Sequence, residues 1–182
     1  LPILLSLSFW QYQRGLEKSK LESFINNQQT KPPTEFISLE YASPSQWYRP
    51  FFMQGKFSKK TVLVDNAIYE GVRGFSVYQE FLSNNGLPLL VSKGWSNSFD
   101  SSKKNLDQNY LLQGVFRPIE KAFTIDNSIY EREESDLEMQ SFDIDSINLK
   151  WNTNFPAVVF ELDEFSLDAV SYTHLRAHET YK

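Results

Sequence analysis

The side chains that could carry acid, base or nucleophilic chemistry are few, and their types exclude more than they allow. There is no cysteine, so thiol nucleophiles, thiolate metal sites and disulfides are ruled out. The two histidines, His174 and His178, stand four residues apart, a spacing that would set two imidazoles on one helix face for a metal. No acid or third ligand is specified beside them. Both fall in Ser171 to Lys182, where Ser-Tyr-Thr-His-Leu-Arg-Ala-His-Glu-Thr resembles a translated sequencing adaptor, and residues 171–182 are set aside as a non-native tail. The rest of the chain has neither His nor Cys, so no Ser-His-Asp or Cys-His arrangement can be assembled from it.

Carboxylates are the remaining option. Asp65, Glu70, Glu80, Asp126 and Asp163 are of the right type for general acid and base roles, yet nothing in their spacing selects a pair. There is no P-loop, no G-x-G-x-x-G and no H-E-x-x-H. Gly71-Val72-Arg73-Gly74 is too short to cradle a phosphate and reads as a bend between strands. Met53 and Met139 are soft thioethers that ordinarily fill cores. An enzyme directed at glycans through exposed aromatics and two carboxylates is therefore a weak competitor, and the chain reads as non-catalytic, with no metal site.

The elements that would position these residues follow from composition and pattern. At 182 residues the chain is one ordinary domain, long enough to bury about 70% of its unfolded surface without a staple. Aromatic residues make up 15% and hydrophobic ones 41%, which argues for a folded, strand-rich domain and against disorder. A net charge of -5 argues against nucleic acid as the main partner. That charge is uneven: residues 1–60 carry eight Lys or Arg against four Asp or Glu, and residues 61–182 carry ten against nineteen. The densest acid, Glu131 to Glu138, is expected as a solvated loop or helix start.

Leu1 to Trp10 is apolar, has no initiating Met and is too short for a membrane span, which needs about 20 residues. Trp10 and Tyr12 are amphipathic aromatics of the kind found at a bilayer surface, and Arg14, Lys18 and Lys20 follow at once. The pattern predicts one helix to about Ile25, leaving the membrane near Trp10, so residues 1–27 are read as the end of a transmembrane helix. Asn26 to Thr30 is polar and Lys31-Pro32-Pro33 is extended, giving a linker over 28–46. A β-rich domain is expected over 47–170.

In that domain Tyr48 to Phe57, Thr61 to Asn66, Phe75 to Leu82, Leu87 to Trp95 and Tyr110 to Phe116 read as strands. Ser58-Lys59-Lys60, Gly71 to Gly74 and Asn84-Asn85-Gly86 read as turns, and the spacing as an antiparallel meander. Leu89-Leu90-Val91 is the run of a buried strand, and its exit at Gly94-Trp95 asks for φ > 0 or a close backbone approach beside a large anchor. Phe142 to Leu149 fits a short helix capped by Ser141 or Asp143, and Phe155 to Leu162 a final strand.

Trp10-Gln11 with Arg14 and Lys18 resembles the W-Q-x-x-R-x-x-x-K signature closing the first membrane helix of the surfeit-locus-one family of cytochrome c oxidase assembly factors, called Shy-type in yeasts. Lys31-Pro32-Pro33, Gly55-Lys56-Phe57, Gly71 to Gly74, Leu89 to Trp95, Arg117-Pro118 and Phe155-Pro156 follow in the family's order, over nearly all of positions 1–165. Phe9 stands in place of the usual Gly, and Ser92-Lys93 in place of Asn-Arg, where Lys keeps the charge but loses the bidentate fork.

The resemblance implies an α+β protein with a mainly antiparallel β extracytoplasmic domain, and Trp10, Gln11, Arg14, Lys18, Gly71, Gly74, Lys93, Gly94 and Trp95 as its motif positions. It also implies an inner-membrane chaperone, bacterial or mitochondrial, whose main domain lies on the periplasmic or intermembrane-space side. The function implied is support of haem a insertion into, or stabilisation of, the catalytic subunit of cytochrome c oxidase. The partners would be that subunit, other assembly factors and the membrane.

The family's second membrane helix and its haem-associated His are missing, so the chain reads as cut at both ends. Haem a is then a possibility for a longer protein and is not bound by this fragment. Lys93→Ala is expected to spare the fold, with Lys93 open to a partner or a haem propionate. A membrane-anchored periplasmic binding domain of unknown ligand is the alternative.

Overall fold

Residues 2–97, 106, 108–119, 129–133 and 135–163 are described by a computed structural model of the chain. They form one long helix, α1 (Pro2–Gln29), and a mostly β domain that carries a short helix, α2 (Ile144–Trp151). Apolar side chains fall on every face of the first turns of α1, and Ile3, Leu4, Leu5, Leu7 and Phe9 are all exposed. Among the described residues no helix is long and apolar enough to cross a membrane. The polar residues Asn26 to Gln29 continue α1, although their composition suggested a break after Ile25.

The domain is organised by one strand, β2 (Pro50–Tyr69). The chain reverses at Glu70-Gly71, with φ of 49° and 80°, so that Tyr69 pairs with Val72 at the start of β3 (Val72–Ser83). Positive φ at both central residues matches the twist of the ribbon, and Gly71 adopts it at no steric cost. β3 pairs in turn with β4 (Pro88–Ser96). Beyond this meander, β4 meets β8 (Val158–Leu162), β8 meets β5 (Tyr110–Pro118), and β5 pairs with the first part of β2. The ring β2-β3-β4-β8-β5 thus closes on itself as a barrel, and closure removes its free edges. The second part of β2 carries β7 (Asp136–Met139) and, outside it, β6 (Tyr130–Glu133).

The expected antiparallel meander is only part of this sheet. β4–β8, β2–β7 and the short β1 (Thr34–Glu35) on β2 are parallel pairings, so the barrel is mixed. Parallel neighbours are joined by long crossovers, and no local turn signal announces them. Three local expectations change as well. Ser58-Lys59-Lys60 is not a turn: β2 runs through it with a shift of register against β3 between Phe57 and Thr61. The acid run Glu131 to Glu138 is not simply solvated, because its described parts lie in the paired strands β6 and β7, where Asp136 and Leu137 are buried. The stretch expected as a linker holds two single-turn 3-10 helices, Leu39–Ala42 and Pro44–Gln46, and puts Phe36 and Ala42 into the core.

Two apolar clusters explain the consecutive run in β4. Leu89 and Val91 face the barrel interior with Phe51, Met53, Phe57, Phe116 and Phe160. Leu90 faces the opposite way, into a layer formed by Val62, Leu137, Met139, Ile144 and Ile147 under α2. A strand buried on both faces reads as an unbroken apolar run. Asp143 caps α2 by accepting from the Asp145 N–H at 3.2 Å and the Ser146 hydroxyl at 2.7 Å, and Asn152 ends the helix at φ 50°.

Tyr78 closes this second layer, its ring edge-on to Phe142 at 4.6 Å. Burial pushes its hydroxyl above the ordinary value of 10.0; Glu161 adds to the rise, while a hydrogen bond with Ser76 and the charge of Arg117 oppose it. A phenol whose folded pKa lies above its unfolded one supports folding fully below the unfolded value, and loses that support as pH rises through the folded value. Tyr78→Phe should therefore flatten the fall of stability above pH 10, read from urea unfolding stepped across that pH. An unchanged slope would show that Tyr78 does not titrate differently in the two states.

Candidate functional site

Of the nine positions implied by the motifs, four lie on α1 and five at the end of the β2–β3–β4 meander. Trp10, Arg14 and Lys18 recur every four residues and so share one face of α1. The Arg14 guanidinium lies 5.4 Å from the centre of the Trp10 ring, a cation–π contact. With Gln13, Glu17 and Leu21 these three residues line an open groove of about 340 Å³. Gln11 is exposed on the same turn as Trp10. Every residue from Ile3 to Ser23 is exposed, and α1 meets the domain through its last two turns.

That junction is a polar knot which the sequence did not reveal. Phe24 stands edge-on to Tyr48 at 6.3 Å, and the Tyr48 N–H donates to the Phe116 carbonyl at 2.9 Å. Gln28, buried to 3% exposure, donates to the Ser45 carbonyl and accepts from the Lys31 ammonium, both at 2.7 Å. Arg49 donates to Thr34 Oγ1 at 2.7 Å and Gln46 Oε1 at 3.1 Å. A buried glutamine amide with both ends satisfied fixes the direction of α1. The Asn-Asn-Gln-Gln run that hides Gln28 looks like any polar helix end, so only the packing distinguishes it.

At the other group, β4 bulges. Val77 lies opposite Gly94 and Tyr78 opposite Ser92, which leaves Lys93 as the extra residue. Gly94 takes φ 89°, as the sequence asked of it. The bulge aims Lys93 inward: the residue is only 8% exposed, and its ammonium sits 3.4 Å from the centre of the Phe57 ring. An accessible Lys93, open to a partner or a propionate, is therefore not what the fold presents. Lys93→Ala should instead cost about 2 kcal/mol in urea unfolding, at the low end for truncation of a buried long side chain. A variant as stable as the parent would show that the buried stem contributes nothing to packing.

Trp95 is half-buried and clamps the end of the β2–β3 arm. Its indole N–H donates to the Ala67 carbonyl at 2.9 Å, and its ring lies 5.6 Å from that of Tyr69. A Cβ at Gly74 would sit 2.6 Å from Trp95 Cε2 and would also meet the Ser96 carbonyl oxygen. Gly71 and Gly74 thus serve different ends, one a turn and the other a close approach.

The four described carboxylates are carried by different parts of the fold. Asp65 lies in β2, Glu70 at the β2–β3 turn, Glu80 in β3 and Asp163 just after β8. Glu80, 4% exposed, accepts from Ser58 Oγ at 2.6 Å and pairs with Lys60 at 3.4 Å, so it anchors the β2 bulge. Lys60 also lies 5.5 Å over the Trp151 ring and so ties α2 to the barrel. Asp126, His174 and His178 lie outside the described residues. Among the described residues no group of three or more His, Cys, Asp or Glu is placed to hold a metal. Both methionines are interior, at 1% exposure.

In a comparison with known families the chain matches the SURF1 family over residues 1–179. The match spans α1 and the described strands β1 to β8, and runs into the segment that resembles an adaptor. No curated protein matches the chain.

Proposed function

Because the chain belongs to the SURF1 family, the surfeit locus 1 family of cytochrome c oxidase assembly factors, we propose that it acts without catalysis in the building of the oxidase's haem-bearing catalytic subunit. Its task in this reading is to support the insertion of haem a or to stabilise the subunit that receives it, beside other assembly factors. Haem a is cargo here and not a resident group. The observation that carries the reading is the family match along residues 1–179.

The first turns of α1, in this reading, lie in the inner membrane, with the barrel on the periplasmic or intermembrane-space side. A helix apolar on all faces is at home only when buried in protein or lipid, and Ile3, Leu4, Leu5, Leu7 and Phe9 are exposed. Moving five such side chains out of water is worth on the order of 10 kcal/mol. Trp10 and Tyr12 fall where the apolar turns end, the depth that amphipathic rings prefer.

The test is a strain lacking the gene. It should make haem a normally but carry an oxidase catalytic subunit poor in haem a and low in activity, and reintroducing the gene should restore both. A deletion strain that assembles fully active oxidase would overturn the proposal.

A further inference from the structure

We propose that the α1 face formed by Trp10, Arg14 and Lys18 binds the headgroup phosphate of an anionic phospholipid, and that this contact fixes the depth of the helix. The inference rests on the membrane reading of α1 given above. Arg14 and Lys18 are one helical repeat apart, which brings their Cβ atoms to within about 5–6 Å and lets two cations bracket one phosphate. Arg14 brings the planar fork suited to phosphate, and the Trp10 ring beneath it holds the guanidinium over an apolar floor. The same ring marks the boundary between the apolar turns and the polar ones, where a headgroup lies. Glu17 lies in the groove too, so the face is a bracket with two cations and one acid, matched to a single phosphate and not to a polyanion.

Charge elsewhere in the chain is consistent with this. Residues 61–182 carry nineteen acids against ten bases and would be repelled by an anionic surface. From Trp10 to Gln29 the helix rises about 28 Å, at 1.5 Å per residue. That is more than three Debye lengths of about 8 Å in physiological salt, so the acid of the barrel does not oppose the headgroup contact while the helix stands upright.

The full chain is tested by co-flotation with vesicles of phosphatidylcholine alone and of an equal mixture with phosphatidylglycerol. Binding is expected to both, and tighter to the mixture. The double variant Arg14→Gln, Lys18→Gln should lose about 25-fold in affinity for the mixed vesicles, about 1 kcal/mol per cation, and little for the neutral ones. Lys59→Gln, an exposed cation on the barrel, should change neither. Equal binding of the parent to both vesicles overturns the headgroup site and leaves the membrane reading standing. No binding to either overturns both. A Lys59→Gln loss of about fivefold, the share of one cation, would mean diffuse attraction and no site. Loss of oxidase assembly in the double variant with lipid preference intact would assign the face to an acidic protein surface instead.

Discussion

Gly114→Val is expected to keep the barrel from closing, at a loss of about 3 kcal/mol or more, the upper range for overpacking. A Cβ at Gly114 would meet the Glu161 carbonyl oxygen, approach its carbonyl carbon to 2.9 Å and reach Phe160 Cε1 at 3.0 Å. Two of these are backbone atoms of β8, the strand that joins the meander to β5, so nothing nearby can swing aside. Displacing β5 also moves Phe116, whose ring lies 5.1 Å from Phe36, 5.5 Å from Phe51 and 5.0 Å from Phe160. Domains of this kind are stable by roughly 5–15 kcal/mol, so the loss is a large share of the total. Urea unfolding with the parent's midpoint would show that β8 yields without cost.

Trp95→Ala should cost about 3 kcal/mol, the low end for tryptophan truncation because the side chain is only half-buried. It loses the hydrogen bond to Ala67 and the contact with Tyr69, and leaves the surface of Gly74 bare. Thermal unfolding and oxidase activity in a deletion strain should fall together, since a weakened factor is depleted before it acts. A Trp95→Ala protein that melts like the parent yet fails to support assembly would place Trp95 on a binding surface and not in the scaffold.

How much of this could be read beforehand depended on whether the signal was local. Leu89-Leu90-Val91 announced a buried strand, and Ser141 and Asp143 together marked the start of α2, because each signal rests on adjacent residues. Ser58-Lys59-Lys60 misled because a bulge and a turn use the same polar residues; what separates them is Glu80, which reaches Ser58 and Lys60 from the next strand. The run Asp136-Leu137-Glu138-Met139 did carry an apolar residue at every second place, but its acids suggested solvent. At the candidate site Gly94 could be anticipated from its strand exit, whereas the inward turn of Lys93 follows from a register shift against Val77 and Tyr78. Gln28 and Arg49 gave no sign, since the Ser45 carbonyl and the Thr34 hydroxyl reach them only through the packing of the segment after α1 on the barrel.

The ring of strands has a consequence in time. The β2–β3 and β3–β4 hairpins bring together residues close in the chain, and such contacts form quickly. The parallel step from Val91 to Phe160 must instead gather roughly 70 intervening residues before it gains anything, and loop-closure entropy makes such a contact late. Until β8 arrives, β4 and β5 both show an unpaired edge, with Leu89, Val91 and Phe116 uncovered between them. The half-made barrel is therefore the species most prone to stick to a neighbour, and β8, the last of the described strands, is the one that ends that exposure.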